Sequence, residues 1–321
     1  MSDIQSSTGS ATKTIILHCG APKTGSTSFQ HLLYAEREHV LKAGFWCPDV
    51  SRKKRVKDDI RILLADLTRE EGDPARRIDH VRKVIAETFA ETGAHTLIIS
   101  NESLLGKPYS SKSARFLPRA EAQIEAIARA LEGYDLQVRF FVRDYASFLP
   151  SWYVQQVRMG ERMDFDGFLD RLDLDAMSWR PVVTALRNAF GADRVEIYDH
   201  AEMKSGASRL MAKAFPAVMA ALGRRGETIP NKNIAIGRGY VERYRRWNNR
   251  VHGLKLSSGA RRTLRSFGRR YVLLPFERFS KSEKLAMAEA RANPLKVRYA
   301  EDIAWILATE ARLQPDRGAA E

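Results

Sequence analysis

Three short stretches of this sequence carry residue types whose spacing could hold a phosphate-like anion and move a proton. The first is Gly20-Ala21-Pro22-Lys23-Thr24-Gly25-Ser26-Thr27-Ser28. Two glycines let a backbone pass close to an anion, and a helix starting behind them offers unpaired N–H groups at the positive end of its dipole. Lys23 sets a charge inside the turn, and Ser26, Thr27 and Ser28 add hydroxyl donors, so the stretch reads as an oxyanion nest. The second pairs Arg143 with Ser151, eight residues on. An Arg fork and a Ser hydroxyl could grip one phosphate between them. Pro150 suits the first position of a helix, so the reading starts a helix there and puts Ser151 in its first turn beside free backbone donors. Ser147 is the fallback hydroxyl, and a local pair between Arg143 and Asp144 is the competing use of the arginine. The third is Ser100-Asn101-Glu102-Ser103, where Glu102 could act as a general base, as a helix cap or as a salt-bridge partner.

Four apolar runs around these residues read as strands: Thr14–Cys19, Thr96–Ser100, Leu136–Val142 and Arg194–Tyr198. Helical spacing covers 26–42, 54–69, 74–92, 118–131, 150–159, 165–172 and 179–190, and nearly everything beyond Ser205. Strands alternating with helices predict an α/β fold with a mainly parallel central sheet, and such sheets bind ligands beyond the carboxyl ends of their strands. All three stretches sit at predicted strand ends. Residues 1–13 read as a polar, disordered tail. Residues 14–321 read as one α/β domain whose helical extension begins near 205.

The first loop differs from the nucleotide-triphosphatase motif G-x-x-x-x-G-K-[ST], which needs Lys directly after the second glycine, where Ser26 stands. With Lys23 between the glycines it resembles the 5′-phosphosulfate loop of the sulfotransferase family, P-K-[TS]-G-[TS]-T-[ST] after a short strand. LHCGAPKTGSTSFQ is similar to the opening of bacterial members that act on carbohydrates. The resemblance implies a P-loop-like three-layer fold and 3′-phosphoadenosine 5′-phosphosulfate (PAPS) as sulfuryl donor. It places Pro22, Lys23, Thr24, Gly25, Ser26, Thr27 and Ser28 around the 5′-phosphosulfate, with Lys23 on the leaving-group side. It also makes Arg143 and Ser151 the 3′-phosphate site, a resemblance that continues through S-W-Y-V-Q-Q-V-R (residues 151–158), and makes Glu102 the base. A glycan or glycolipid acceptor follows from it. His18 is the rival base but sits inside the first strand, where a hydrogen-bonded structural role is expected. Trp152 and Tyr153 could stack on a sugar or belong to the core, and Lys232 and Arg238 could close over the nucleotide.

Composition narrows the alternatives. A 44% hydrophobic content over 321 residues suits a globular core. No window approaches a membrane span, and the N-terminus has no signal-peptide pattern. Cys19 and Cys47 are too few for a disulfide framework, and no His/Cys/Asp/Glu spacing suggests a required metal, so a cytoplasmic enzyme is expected. Much of the net charge of +14 lies in residues 238–270, a field that draws polyanions, with a peripheral membrane contact among the compatible uses, while most of these arginines read as a solvated helical face. No recognition-helix or aromatic RNA motif points to specific nucleic acid. Two other readings compete: a P-loop kinase or nucleotide triphosphatase with an altered loop, and a non-catalytic polyanion-binding protein. Oligomeric state is not legible.

Overall fold

The computed structural model describes residues 12–22, 24, 26–49, 59–109, 113–229, 237–268 and 283–313. Five parallel strands form its sheet: β1 (Thr14–Gly20), β2 (Phe45–Trp46), β3 (Thr96–Ser100), β4 (Asp135–Val142) and β5 (Val195–Asp199), in the order β2-β3-β1-β4-β5. The four strands expected from sequence are present. β2, only two residues long, was not expected.

The strands are apolar on both faces because helices cover both. Ile15, Leu17 and Cys19 of β1 join Leu97, Ile99, Val138, Phe140 and Val142 in one buried cluster. That side is covered by α3 (Ile60–Ala65), α4 (Pro74–Thr92), α5 (Ala120–Ala130), α6 (Tyr145–Met159), α7 (Phe165–Asp170), α8 (Arg180–Phe190) and the long α13 (Glu289–Leu313). Ile16, Ile98, Phe141 and Tyr198 point the other way, onto α1 (Ser26–Ala35), α2 (Arg37–Lys42), α9 (Ala207–Ala214) and α10 (Pro216–Leu222). This is a three-layer α/β arrangement with a parallel central sheet. Each large side chain sealed between layers, such as Phe29, Phe140 or Phe141, contributes about 1.5–3 kcal/mol. From Ala207 onward every described α-helix or strand is helical, with α11 (Arg238–Gly253) and α12 (Ser258–Phe267) completing the set.

Local chemistry sets several boundaries. The Asp73 side chain caps α4, Pro74 occupies the first turn and Gly93 closes the helix at φ 66°. The single helix expected over 26–42 is broken at Glu36 into α1 and α2. Of the charged stretch 54–69, only Ile60–Ala65 is helical among the described residues.

The start of α6 corrects the sequence reading. Asp144, not Pro150, opens this helix: its carboxylate accepts from Ala146 N at 3.3 Å and Ser147 N at 2.9 Å. A carboxylate that satisfies two orphan donors outweighs the preference of Pro for a first turn. Pro150 therefore lies inside the helix, at a cost of about 3 kcal/mol, held by the burial of Tyr145, Phe148, Leu149, Trp152 and Tyr153 around it.

Gly20 is required by the sheet rather than by an anion. Its φ is +136°, and a Cβ there would lie 2.1 Å from the Phe141 carbonyl oxygen. Gly20→Ala combines left-handed strain with a backbone collision, and is expected to lower stability by about 2–6 kcal/mol. A urea unfolding midpoint equal to wild type would contradict this.

Candidate functional site

The chain leaves β1 toward α1, α2 and β2 on one side, and leaves β4 toward α6 and β5 on the other. Adjacent parallel strands whose exits diverge leave a crevice at their carboxyl ends, the usual ligand position in such sheets. Gly20 pairs with Phe141, and Ala21 N donates to Phe141 O at 2.7 Å. Arg143 stands two residues past that partner, so the first loop and the arginine spring from neighbouring strand ends, about 4.8 Å apart in such sheets.

Lys23 and Gly25 lie outside the described residues. Pro22, Thr24, Ser26 and Ser28 beside them are buried, and Thr27 is half-buried. Thr24 Oγ1 donates to Ala21 O at 2.9 Å and braces the turn from within. Ser26, Thr27 and Ser28 form the first turn of α1, whose N–H groups have no intrahelical partner.

Glu102 meets this loop directly. Ser26 Oγ donates to Glu102 Oε2 at 2.9 Å across 76 residues of sequence. The strand end that carries Glu102 is fixed by Asn101: its N–H donates to His18 O at 2.9 Å, its Oδ1 accepts from Ser103 N at 2.9 Å, and its Nδ2 donates to Arg61 O at 3.0 Å. Arg61 is itself forked onto Asp59 and donates to Asp49 O at 2.6 Å.

At the other wall, Arg143 Nε donates to Ser147 Oγ at 3.2 Å and Nη2 to Ser147 O at 3.0 Å. The structure thus joins the arginine to Ser147. Ser151 is half-buried one turn further along the same face of α6, in the second turn and not the first. The N–H groups of Ala146 and Ser147 are already taken by Asp144, so the positive character of this wall resides in the guanidinium. Burial of Arg143 pulls its pKa below the usual arginine value, with Asp144 opposing.

His18 behaves as a structural histidine. Its Nδ1 lies 2.8 Å from Ser100 Oγ, which also accepts from Gln30 Nε2 at 3.0 Å. Its ring packs on Phe29, Phe141 and Phe215. Burial lowers its pKa to about 3, so it stays neutral. A depressed histidine pKa means that the unfolded chain binds a proton the folded chain refuses. The stability this confers is complete above the ordinary value of 6.5 and is lost as pH falls from there toward 3. His18→Gln should flatten the acid loss of stability across that window in urea titrations; an unaltered slope would assign the loss to other groups.

Several features lay beyond the sequence reading. His200 follows the end of β5, and its pKa is lowered to about 4, first by burial and then by the charge of Arg143. The C-terminal helix α13 braces the Arg143 wall: Asp302 accepts from Tyr145 Oη, from Ser178 Oγ at 3.1 Å, from Trp179 N at 2.8 Å and from Arg180 Nε at 2.8 Å. Trp179 Nε1 in turn donates to Arg143 O at 3.1 Å. Trp152 and Tyr153 belong to the core, 5% and 2% exposed, and are not available to a sugar. Lys232 lies outside the described residues. Arg238 begins α11, where its N–H donates to Glu283 O at 2.8 Å. Both thiols, Cys19 and Cys47, are pushed up to about 12 by burial. Among the described residues no helix is long and apolar enough to cross a membrane.

No family model and no curated protein matches the chain. Solved structures do. One is a sulfotransferase from Alicyclobacillus acidocaldarius, at TM-score 0.40 and 14% identity over 70% of this chain and 86% of that one. A second is the sulfotransferase domain of the Synechococcus PCC 7002 olefin synthase, at TM-score 0.39 and 12% identity over 90% and 95%. The third is the sulfotransferase domain from the curacin biosynthetic pathway, at TM-score 0.43 and 9% identity over 90% and 98%. All three are sulfotransferases. A distant likeness of fold does not carry function with it, so the chemistry of this chain is read from its own site residues.

Proposed function

We propose that the chain is a sulfotransferase that moves a sulfuryl group from PAPS to a hydroxyl or amine of a glycan or glycolipid. One observation carries this reading: Glu102, at the end of β3, is hydrogen-bonded to Ser26 in the first turn behind the β1 loop, while Arg143 ends the strand on the other side of β1. In this reading Glu102 is the acid–base group and the β1 loop and Arg143 are the anion-binding elements, and their positions beyond the carboxyl ends of three adjacent strands support it.

In the reaction, the acceptor oxygen attacks sulfur, the bond from sulfur to the bridging phosphate oxygen breaks, and adenosine 3′,5′-bisphosphate departs. Glu102 takes the acceptor proton as the new O–S bond forms. Lys23 offsets the charge that grows on the departing oxygen. Ser26 to Ser28 and the α1 N-terminus hold the 5′-phosphate, and Arg143 holds the 3′-phosphate with Ser147 or Ser151 beside it. The Ser26 hydroxyl has one proton to donate, so a phosphate that claims it releases Glu102 for the acceptor. The carbohydrate class of acceptor rests on the resemblance of the loop to carbohydrate-acting bacterial members.

The direct test is transfer of label from ³⁵S-PAPS to a pool of bacterial glycans and glycolipids. Label in either fraction is the expected result. No transfer, together with magnesium-dependent ATP turnover, would favour a kinase or triphosphatase instead. Arg143→Ala is expected to weaken adenosine 3′,5′-bisphosphate about 10–100-fold, the usual loss of a charge-assisted contact, while leaving adenosine 5′-phosphate affinity nearly unchanged. Equal losses for the two nucleotides would remove Arg143 from the 3′-phosphate.

A further inference from the structure

The inner side of α11 has a structural task. Asn248 Nδ2 donates to Val157 O at 2.7 Å and to Glu161 O at 2.9 Å, Tyr244 Oη to Arg158 O at 3.3 Å, and Arg245 Nη1 to Arg162 O at 2.9 Å. These bonds satisfy carbonyls at and beyond the C-terminal end of α6, the end away from Arg143. α6 has 15 residues, so roughly 22 Å of helix separates the two ends.

The outer side is different. Arg243, Arg246 and Arg250, spaced by three and four residues, share one exposed face of α11. The chain then turns through Leu254-Lys255-Leu256, where the leucines are 48% and 38% exposed, into α12, which has no fully buried residue and presents Arg262 to solvent. From Arg238 to Gly268 there are nine basic residues and one acid, Glu242, for a net charge of +8. That acid is engaged by Arg245 and Arg246. The local field is strong enough that Arg162, Arg261 and Arg265 lower the pKa of His252.

A positive field alone would suit any polyanion. The leucines that bracket Lys255 at the tip narrow the choice, because an exposed leucine gains little against a phosphodiester backbone or a sulfated glycan. It gains from leaving water at the boundary between lipid headgroups and acyl chains, and neighbouring cations gain from anionic headgroups. We propose that the α11–α12 turn is a docking surface for anionic phospholipid membranes. Leu254 and Leu256 enter the headgroup boundary, and Arg250, Lys255 and Arg262 lie against the lipid phosphates. The surface is separate from the crevice at the strand ends, and the proposal stands whether or not the chain transfers sulfuryl groups.

The test is co-sedimentation of the full chain, without nucleotide or acceptor, with vesicles of phosphatidylcholine alone and of phosphatidylcholine containing about 30% phosphatidylserine. Binding to the anionic vesicles only, weakened by high salt, is expected. Replacing Arg250, Lys255 and Arg262 together by Ser should lower partitioning about 100-fold, from about 5-fold per charge. Leu254→Asn with Leu256→Asn should lower it about 10-fold while leaving heparin binding unchanged. These positions are exposed, so thermal unfolding should match wild type in both variants. Equal binding to both vesicle types, or none to either, would overturn the proposal. So would anionic-vesicle binding that the leucine variant leaves intact, which would make the surface a general polyanion site.

Discussion

Lys23→Ala is expected to lower turnover about 10³-fold, at the upper end of what one preorganised electrostatic contact supplies to a transition state. The lysine belongs to a loop whose flanks are fixed. Gly20 is locked against the β4 backbone, Thr24 is tied to Ala21, and Ser26 begins α1 against Glu102. The described contacts that hold this turn are made by its flanks, which is why removal of the lysine should reach chemistry more than folding. The ammonium is a compact point charge and a guanidinium a planar fork, so Lys23→Arg should restore only part of the rate. The measurement is kcat with PAPS saturating, with thermal unfolding run alongside. Near-normal turnover would remove the lysine from the leaving-group role.

Glu102→Gln is the second large effect, an expected loss of about 10²–10⁴-fold in turnover with nucleotide affinity spared. The substitution is chosen for its geometry. A glutamine carbonyl can still accept the Ser26 hydroxyl, so the contact between β3 and the α1 start survives while the proton acceptor is lost. Glu102→Ala would lose both and could not separate the two roles. An unimpaired rate in the Gln variant would leave Glu102 as a loop anchor and send the search for a base elsewhere in the crevice.

Much of the architecture was legible because parallel strands sealed on both faces leave continuous apolar runs. TIILHC, TLIIS and LQVRFFV fall on β1, β3 and β4 within a residue or so. Strand β2 is two residues without a pattern of its own, and only pairing with β3 defines it. The start of α6 was misread because two helix-start signals compete six residues apart, and the bond from the Asp144 carboxylate to two N–H groups outweighs the ring of Pro150. That misreading put Ser151 where Ser147 stands.

At the candidate site, the residue types that invite a chemical reading are visible in the sequence, and their partnerships are not. Nothing local to Ser26 or Glu102 says that they touch, since the contact depends on β1 and β3 lying side by side. Gly20 carries a signal with two explanations, and the sheet supplies the one that applies. His200 and Asp302 act through elements far along the chain, so only tertiary structure connects them to the Arg143 wall. The basic segment divides in a way composition hides: Arg245 serves the α6 terminus, while Arg250, Lys255 and Arg262 face solvent.

Calorimetric titration with adenosine 3′,5′-bisphosphate in a chelating buffer asks whether the crevice takes a doubly phosphorylated adenosine, with ATP plus magnesium as the parallel ligand. The expected result is metal-independent binding of the bisphosphate, at least about 10-fold tighter than adenosine 5′-phosphate, consistent with a charge-assisted contact to the second phosphate. Magnesium-dependent binding of ATP with no response to the bisphosphate would contradict it.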